Sequence, residues 1–144
     1  KKCISCGYLH DHTECPLCDR KSRDFKKLCI VGSLKDIFTI EGTKIYHGTY
    51  FILTNLLSPL DELQIEKEEI NKIIARIKNE RVSEVIMALE PTIQGDATTL
   101  FLSEEFRDLP IKLSRLALGI PEGTSLEYVD DGTLHQAFSY RQSL

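Results

Sequence analysis

No apolar run in the 144 residues approaches the roughly 20 consecutive apolar positions that span a bilayer. A signal peptide is also missing, since the chain opens on Lys1 and Lys2 and reaches Cys3 at once. Membrane-spanning and secreted classes are therefore not expected. The sequence does not begin with Met, and we read it as a fragment of a larger protein. It contains no internal repeat and no low-complexity tract, and its apolar and charged fractions are ordinary. That composition excludes a disordered or fibrous class and leaves room for one domain with a core plus a small appendage.

Cysteine is scarce but concentrated. Four of the five cysteines form two Cys-x-x-Cys pairs, Cys3/Cys6 and Cys15/Cys18, and the second pair begins nine residues after the first ends. This is a metal spacing, because each turn aims two sulfurs at one point and one loop closes around one ion. Zn²⁺ prefers four such thiolates in a tetrahedron, and a site filled entirely by protein has no open position for water. The expectation is a structural zinc knuckle, with Gly7 supplying the positive φ that such a turn often needs. His10 and His12 lie between the pairs and are read as solvent-facing loop residues, since four sulfurs already complete the site. A redox dithiol needs only one pair. Free thiolates fit a reducing compartment, so a cytoplasmic location is expected. Cys29, inside the apolar run Leu28-Cys29-Ile30-Val31, reads as a small buried hydrophobe.

Charge is uneven. Residues 1–27 hold seven basic residues against four acidic ones, a net +3, so the other 117 residues carry −7 of the overall −4. A basic head on an acidic body is compatible with nucleic-acid contact at the head, and the candidates are Arg20, Lys21, Arg23, Lys26 and Lys27. The plainer alternative is a solvated connector in which Arg23 pairs with Asp24 or a sheet carboxylate.

From Leu28 onward, strand-like and helix-like segments alternate. Leu28–Val31, Tyr50–Thr54, Val85–Leu89 and Ile111–Leu118 read as strands, and Leu34–Glu41 and Ala97–Phe106 as helices. Asn55–Leu63, with a turn at Pro59, connects two of them. The clearest helix is Glu66–Asn79, where Ile70, Ile73, Ile74 and Ile77 recur at helical spacing and acids precede bases along the axis. This order predicts an α/β fold, a parallel sheet flanked by helices on both faces. The expected organisation is a knuckle with its basic connector over 1–27, an α/β domain over 28–122, and a carboxyl-terminal segment over 123–144. Ser125–Leu144 carries no clear periodicity.

The loop from Glu90 to Thr98 follows the third strand at its carboxyl end, where open parallel sheets bind ligands. Glu90, Asp96, its hydroxyls and Gly95 suit Mg²⁺ or phosphate. The competing reading is a polar connection in which Asp96 caps the next helix.

Taken in order, these parts resemble the RecR recombination mediator family. The resemblance rests on the four-cysteine knuckle, the Arg23-Asp24 pair and the strand opening a Toprim-like sheet. It rests also on Ala88-Leu89-Glu90-Pro91-Thr92-Ile93-Gln94-Gly95-Asp96-Ala97-Thr98, which is similar to that family's Asn-Pro-Thr-x-Glu-Gly-Glu-Ala-Thr loop. Further on, Leu118-Gly119-Ile120-Pro121, Leu126-Glu127-Tyr128, Asp130, Thr133-Leu134 and Arg141 match its carboxyl-terminal segment. The resemblance implies a non-enzymatic, DNA-binding mediator of bacterial recombinational repair. Such proteins form homo-oligomeric rings or clamps on DNA and work with RecO- and RecF-type partners to load RecA on gaps. The family's amino-terminal helix–hairpin–helix region has no counterpart here, and its Gly-Gly-Asp before Leu-Glu-Tyr is Gly123-Thr124-Ser125. Its first Toprim strand usually ends in Glu, whereas this one ends in Gly32-Ser33. Toprim enzymes that cut or join phosphodiesters use that Glu beside a tight acidic pair holding Mg²⁺. Glu90 and Asp96 are six residues apart, so Mg²⁺-dependent phosphoryl transfer is the second reading and a generic knuckle interaction module the third.

Overall fold

The computed structural model describes residues 1–56 and 65–144. The expected connection Asn55–Leu63 lies outside the described residues, apart from Asn55 and Leu56. Four strands, β1 (Asp24–Val31), β2 (Gly48–Ile52), β3 (Glu84–Ala88) and β4 (Lys112–Arg115), form one parallel sheet in the order β2-β1-β3-β4. The helices are α1 (Leu34–Gly42), α2 (Lys67–Asn79), α3 (Ile93–Glu105) and α4 (Asp131–Ser139). No helix among the described residues is long and apolar enough to cross a membrane.

The side-chain alternation of β1 sorts the molecule into two cores. Leu28 and Ile30 point to one face, where they join Phe51, Val85 and Met87 beneath Ile70, Ile73 and Ile77 of α2 and Leu102 and Phe106 of the α3 end. Cys29 and Val31 point to the other, where Tyr50 and Ala88 pack with Ile37 of α1 and with Cys6 and Leu17 of the amino-terminal turn. Both faces are therefore covered, which is why the strands read as continuous apolar runs. Burial pushes the Cys29 thiol up to about 12, in keeping with a packed hydrophobe.

The helices have local causes. Ser33 caps α1 by accepting from the Asp36 backbone N–H. In α2 the first turn holds Glu68 and Glu69 and the last holds Arg76 and Lys78, so its charges complement the helix dipole.

Several boundaries differ from the sequence expectation. β1 begins at Asp24 rather than Leu28, because Asp24 donates its N–H to the His47 carbonyl and Lys27 pairs with Glu84 in register. α3 begins at Ile93 rather than Ala97, because Thr92, not Asp96, is its cap and accepts from the Gly95 N–H. A Cβ at position 95 would overlap the Glu90 carbonyl oxygen, so only glycine fits that first turn. β2 runs two residues earlier than expected, and β4 ends at Arg115 rather than Leu118. β4 is an edge strand paired only over Glu84–Met87, and past it the chain leaves the sheet.

Arg23, just before β1, is held against the domain. Its side chain is only 12% exposed and forms an ion pair with Glu41 of α1. The same guanidinium donates to the Gly48 carbonyl, and the Tyr50 hydroxyl donates to Glu41 at 2.6 Å. Burial alone would raise the Glu41 carboxyl, but the hydrogen bonds from Arg23 and Tyr50 outweigh it and hold the group below its ordinary range. The ion pair therefore stabilises the fold fully above the unfolded pKa of about 4.3 and is lost as pH falls through the lower folded value. We predict that Glu41→Gln destabilises the domain at pH 7 by about 1–3 kcal/mol. The loss should shrink as denaturant unfolding is repeated at pH values falling below the unfolded pKa of about 4.3. It should vanish only once the pH has passed the lower folded value and the native carboxylate is itself protonated.

Candidate metal centre and switch-point loop

The amino-terminal turn is built so that its two cysteine pairs face each other. An antiparallel bridge joins Lys2 to Leu9, and Cys3 donates its N–H to the Tyr8 carbonyl at 2.8 Å. Gly7 sits at φ 83°, the left-handed conformation expected after the first pair. The second pair is closed by a 3₁₀ turn, Pro16–Cys18, with Leu17 tucked into the core beneath it.

The four Sγ atoms all lie within 4.8 Å of one another. Cys3 and Cys18 are 3.9 Å apart, and Cys6 and Cys15 are 3.6 Å apart. Four thiolates about 2.3 Å from one Zn²⁺ have tetrahedral edges of about 3.8 Å, so the donor set fits a structural metal ion such as zinc. The proton balance fits as well. A hydrogen bond from the Cys6 thiol, and then the nearby Arg76 charge, bring Cys18 down to about 6 against burial. Burial pushes Cys15 up to about 11. Cys6 is raised too, chiefly by its hydrogen bond to Cys18 and by burial. Alone, the cluster favours a mixture of thiol and thiolate; a divalent cation supplies the charge that lets all four ionise. His10 and His12 are not in the cluster.

Two contacts that sequence reasoning missed tie this turn to the sheet. The Ile52 N–H at the end of β2 donates to the Cys6 carbonyl at 3.1 Å. Arg76 of α2 donates through one nitrogen to the Ser5 carbonyl at 2.6 Å and to the Tyr50 carbonyl at 3.1 Å. Its position among the basic residues at the end of α2 was visible in sequence, but the contact 71 residues away was not.

The basic candidates are dispersed. Arg20 pairs with Glu80 at 2.8 Å while stacking over Phe25, yet stays 70% exposed. Lys21, Lys26 and Lys27 are exposed, the last two at the front of β1, where its register against β2 shifts.

The loop holding Glu90 and Asp96 lies at the carboxyl ends of the strands, beside the place where the chain switches from β2 across β1 to β3. Its acids are not assembled for a metal. Asp96 forms an ion pair with Arg115 at the end of β4, and Glu90 is exposed. Among the described residues the four cysteines form the one group of three or more ligand side chains close enough to share an ion.

Comparison with known proteins decides the ancestry. Residues 26–117 match the Toprim domain, and residues 119–142 match the RecR carboxyl-terminal family. The chain is 43% identical over 141 residues to the recombination protein RecR of Protochlamydia amoebophila, covering 98% of this chain and 71% of that protein. It belongs to the RecR family. It is also 48% identical over 129 residues to the RecR of Chlamydia muridarum, covering 90% of this chain and 64% of the relative. The RecR of Bifidobacterium adolescentis is 39% identical over 142 residues, covering 99% of this chain and 71% of the relative. The chain thus spans roughly two thirds of the length of these RecR proteins.

A direct prediction concerns the cluster. Elemental analysis of protein purified without added metal should give about one equivalent of zinc, and Cys15→Ser should reduce it to well below half. The variant should also lose stability, read as a lower Tm, because three ligands cannot complete the tetrahedron.

Proposed function

We propose that this chain is the zinc-knuckle and Toprim portion of a non-enzymatic, DNA-binding recombination mediator that acts in recombinational DNA repair. Zinc sits on Cys3, Cys6, Cys15 and Cys18 and has a structural role. The knuckle with its basic connector, the Toprim-like domain and the carboxyl-terminal segment are its three parts. The whole protein works in the cytoplasm, assembles into a homo-oligomeric ring or clamp, and cooperates with RecO- and RecF-type partners to load RecA on gapped DNA. The observation that carries the reading is the likeness to proteins named recombination protein RecR along nearly the whole chain.

The absence of chemistry is supported at the switch point. The first strand runs into Gly32-Ser33, and the Arg115 guanidinium partly neutralises Asp96. Magnesium-assisted phosphoryl transfer needs clustered, uncommitted oxygen ligands, and Glu90 with a paired Asp96 is a poor substitute. Oligomer formation is supported by the carboxyl-terminal segment, where no residue beyond Phe106 is buried and Leu126, Tyr128, Phe138 and Tyr140 are exposed.

DNA contact would fall to Arg20, Lys21, Arg23, Lys26 and Lys27, with Arg23 the most enclosed of them. With so few cations on an acidic body, affinity should be weak and steeply salt-dependent, with a slope near 0.9 per phosphate contact on duplex DNA. We predict that replacing Lys21 and Lys26 by Gln weakens binding in a titration at two salt concentrations and lowers the slope by about one to two. Neither a supercoil-relaxation nor a nuclease assay with Mg²⁺ or Mn²⁺ should show turnover. Turnover that Asp96→Asn abolishes would favour the enzymatic reading instead.

A further inference from the structure

The knuckle carries a feature that zinc binding does not require. Tyr8, His10 and His12 recur at every second residue, and their rings lie nearly parallel. Tyr8 and His10 have centroids 6.0 Å apart with planes 8° from parallel, and His10 and His12 are 6.5 Å apart at 15°. At the inner end Phe38 of α1 meets Tyr8 edge-on at 6.0 Å and 77°. Tyr8 has a packing reason for its place, since it lies against the knuckle-side core. Neither histidine belongs to the four-cysteine cluster. His12 is exposed at the outer end, and His10 Nδ1 is buried without a hydrogen-bond partner among the described residues. A buried polar atom left unpaired calls for an explanation.

Flat rings held in a common orientation present faces on which other flat rings stack. Unpaired nucleobases are such partners, and their stacking on aromatic side chains tolerates any base because each has a π-face. In a duplex those faces are hidden against neighbouring pairs. The charge around the ladder is suitably arranged. The bridge from Lys2 to Leu9, and the hydrogen bond from the His10 N–H to the Lys1 carbonyl, bring exposed Lys1 and Lys2 beside the Tyr8–His10 segment. Asp11 and Glu14, also exposed, lie on the outer loop and repel phosphate there, which leaves the lysine side for the backbone.

We propose that the Tyr8–His10–His12 ladder is a stacking platform for unpaired bases of single-stranded DNA. This rests on the DNA-binding reading above, and it adds a base-dependent contact to a charge-dependent one.

The test compares two labelled oligomers with equal numbers of phosphates, oligo-dT and an abasic strand, titrated with the zinc-loaded chain at one low salt concentration. Oligo-dT should bind on the order of tenfold tighter. The His10→Ala/His12→Ala variant should lose that preference while keeping its zinc content and its salt slope. His12→Phe, which keeps a ring, should retain it. Equal binding of the two oligomers overturns the proposal, as does a preference that survives the double substitution. Where the oligomers bind equally but Lys21→Gln/Lys26→Gln still weakens both, the ladder falls and the DNA reading stands. Where neither oligomer binds, both fall together.

Discussion

The constraint on which the rest depends is that this sheet needs two covers and only one is made by helices that pack in the usual way. Alpha-helical burial closes the face of Leu28, Ile30, Val85 and Met87. The face of Cys29, Val31, Tyr50 and Ala88 is closed by α1 together with a turn of about twenty residues that has few apolar side chains beyond Leu17 and the thiols themselves. Such a turn cannot hold its shape by hydrophobic burial alone. Convergence of four sulfurs is the physical alternative, because a cation between them turns four loop positions into one rigid unit. The knuckle is then part of the domain's core and not an ornament at its start. Arg76 reinforces the arrangement by holding Ser5 and Tyr50 with a single guanidinium, as does the β2 edge through Ile52 and Cys6.

How much of this was legible follows from the range of each interaction. The α2 stripe of Ile70, Ile73 and Ile77 was readable because helical periodicity is local, and the cysteine pairs because a metal imposes a fixed spacing. The front of β1 was not, because Asp24, Lys26 and Lys27 are charged and exposed and break the apolar signal while still making ladder bonds. The start of α3 was misplaced for a related reason. A first turn of Thr92, Gln94, Gly95 and Asp96 looks like a polar loop, and its helical character shows in the Thr92 cap and in the bond from the Asp96 N–H to the Thr92 carbonyl. The partner of Arg23 was not legible because Glu41 lies 18 residues away. Nothing local in the sequence says that parallel pairing of Asp24 with Gly48 will bring the two together.

The switch-point loop shows how the fold places a polar connection at the carboxyl ends of the strands. The place is the one where parallel sheets gather ligands, and the glycine that lets α3 begin close to the Glu90 carbonyl is present. Its Asp96 pairs with Arg115, so the loop's charge links the start of α3 to the end of β4. The Asp96–Arg115 ion pair is a brace between these two elements.

That brace matters because it is the last place where the chain is firmly held. Beyond Arg115 no residue is buried, and Leu116, Leu126, Tyr128, Phe138 and Tyr140 are each more than half exposed. Helix α4 has nine residues, a length at which an isolated helix is marginal in water. Its Asp130 cap accepts from the Thr133 N–H at 3.0 Å, but a cap contributes only about 1 kcal/mol. Fully burying a large apolar side chain contributes about 1.5–3 kcal/mol, so covering even two or three of these exceeds anything the cap supplies. The apolar surface needed to fix α4 is therefore carried by the helix itself, while the surface to receive it is not provided by this chain's core. In the oligomer proposed above, a second copy meeting the same segment would supply that surface reciprocally, so order in the carboxyl-terminal segment would accompany self-association.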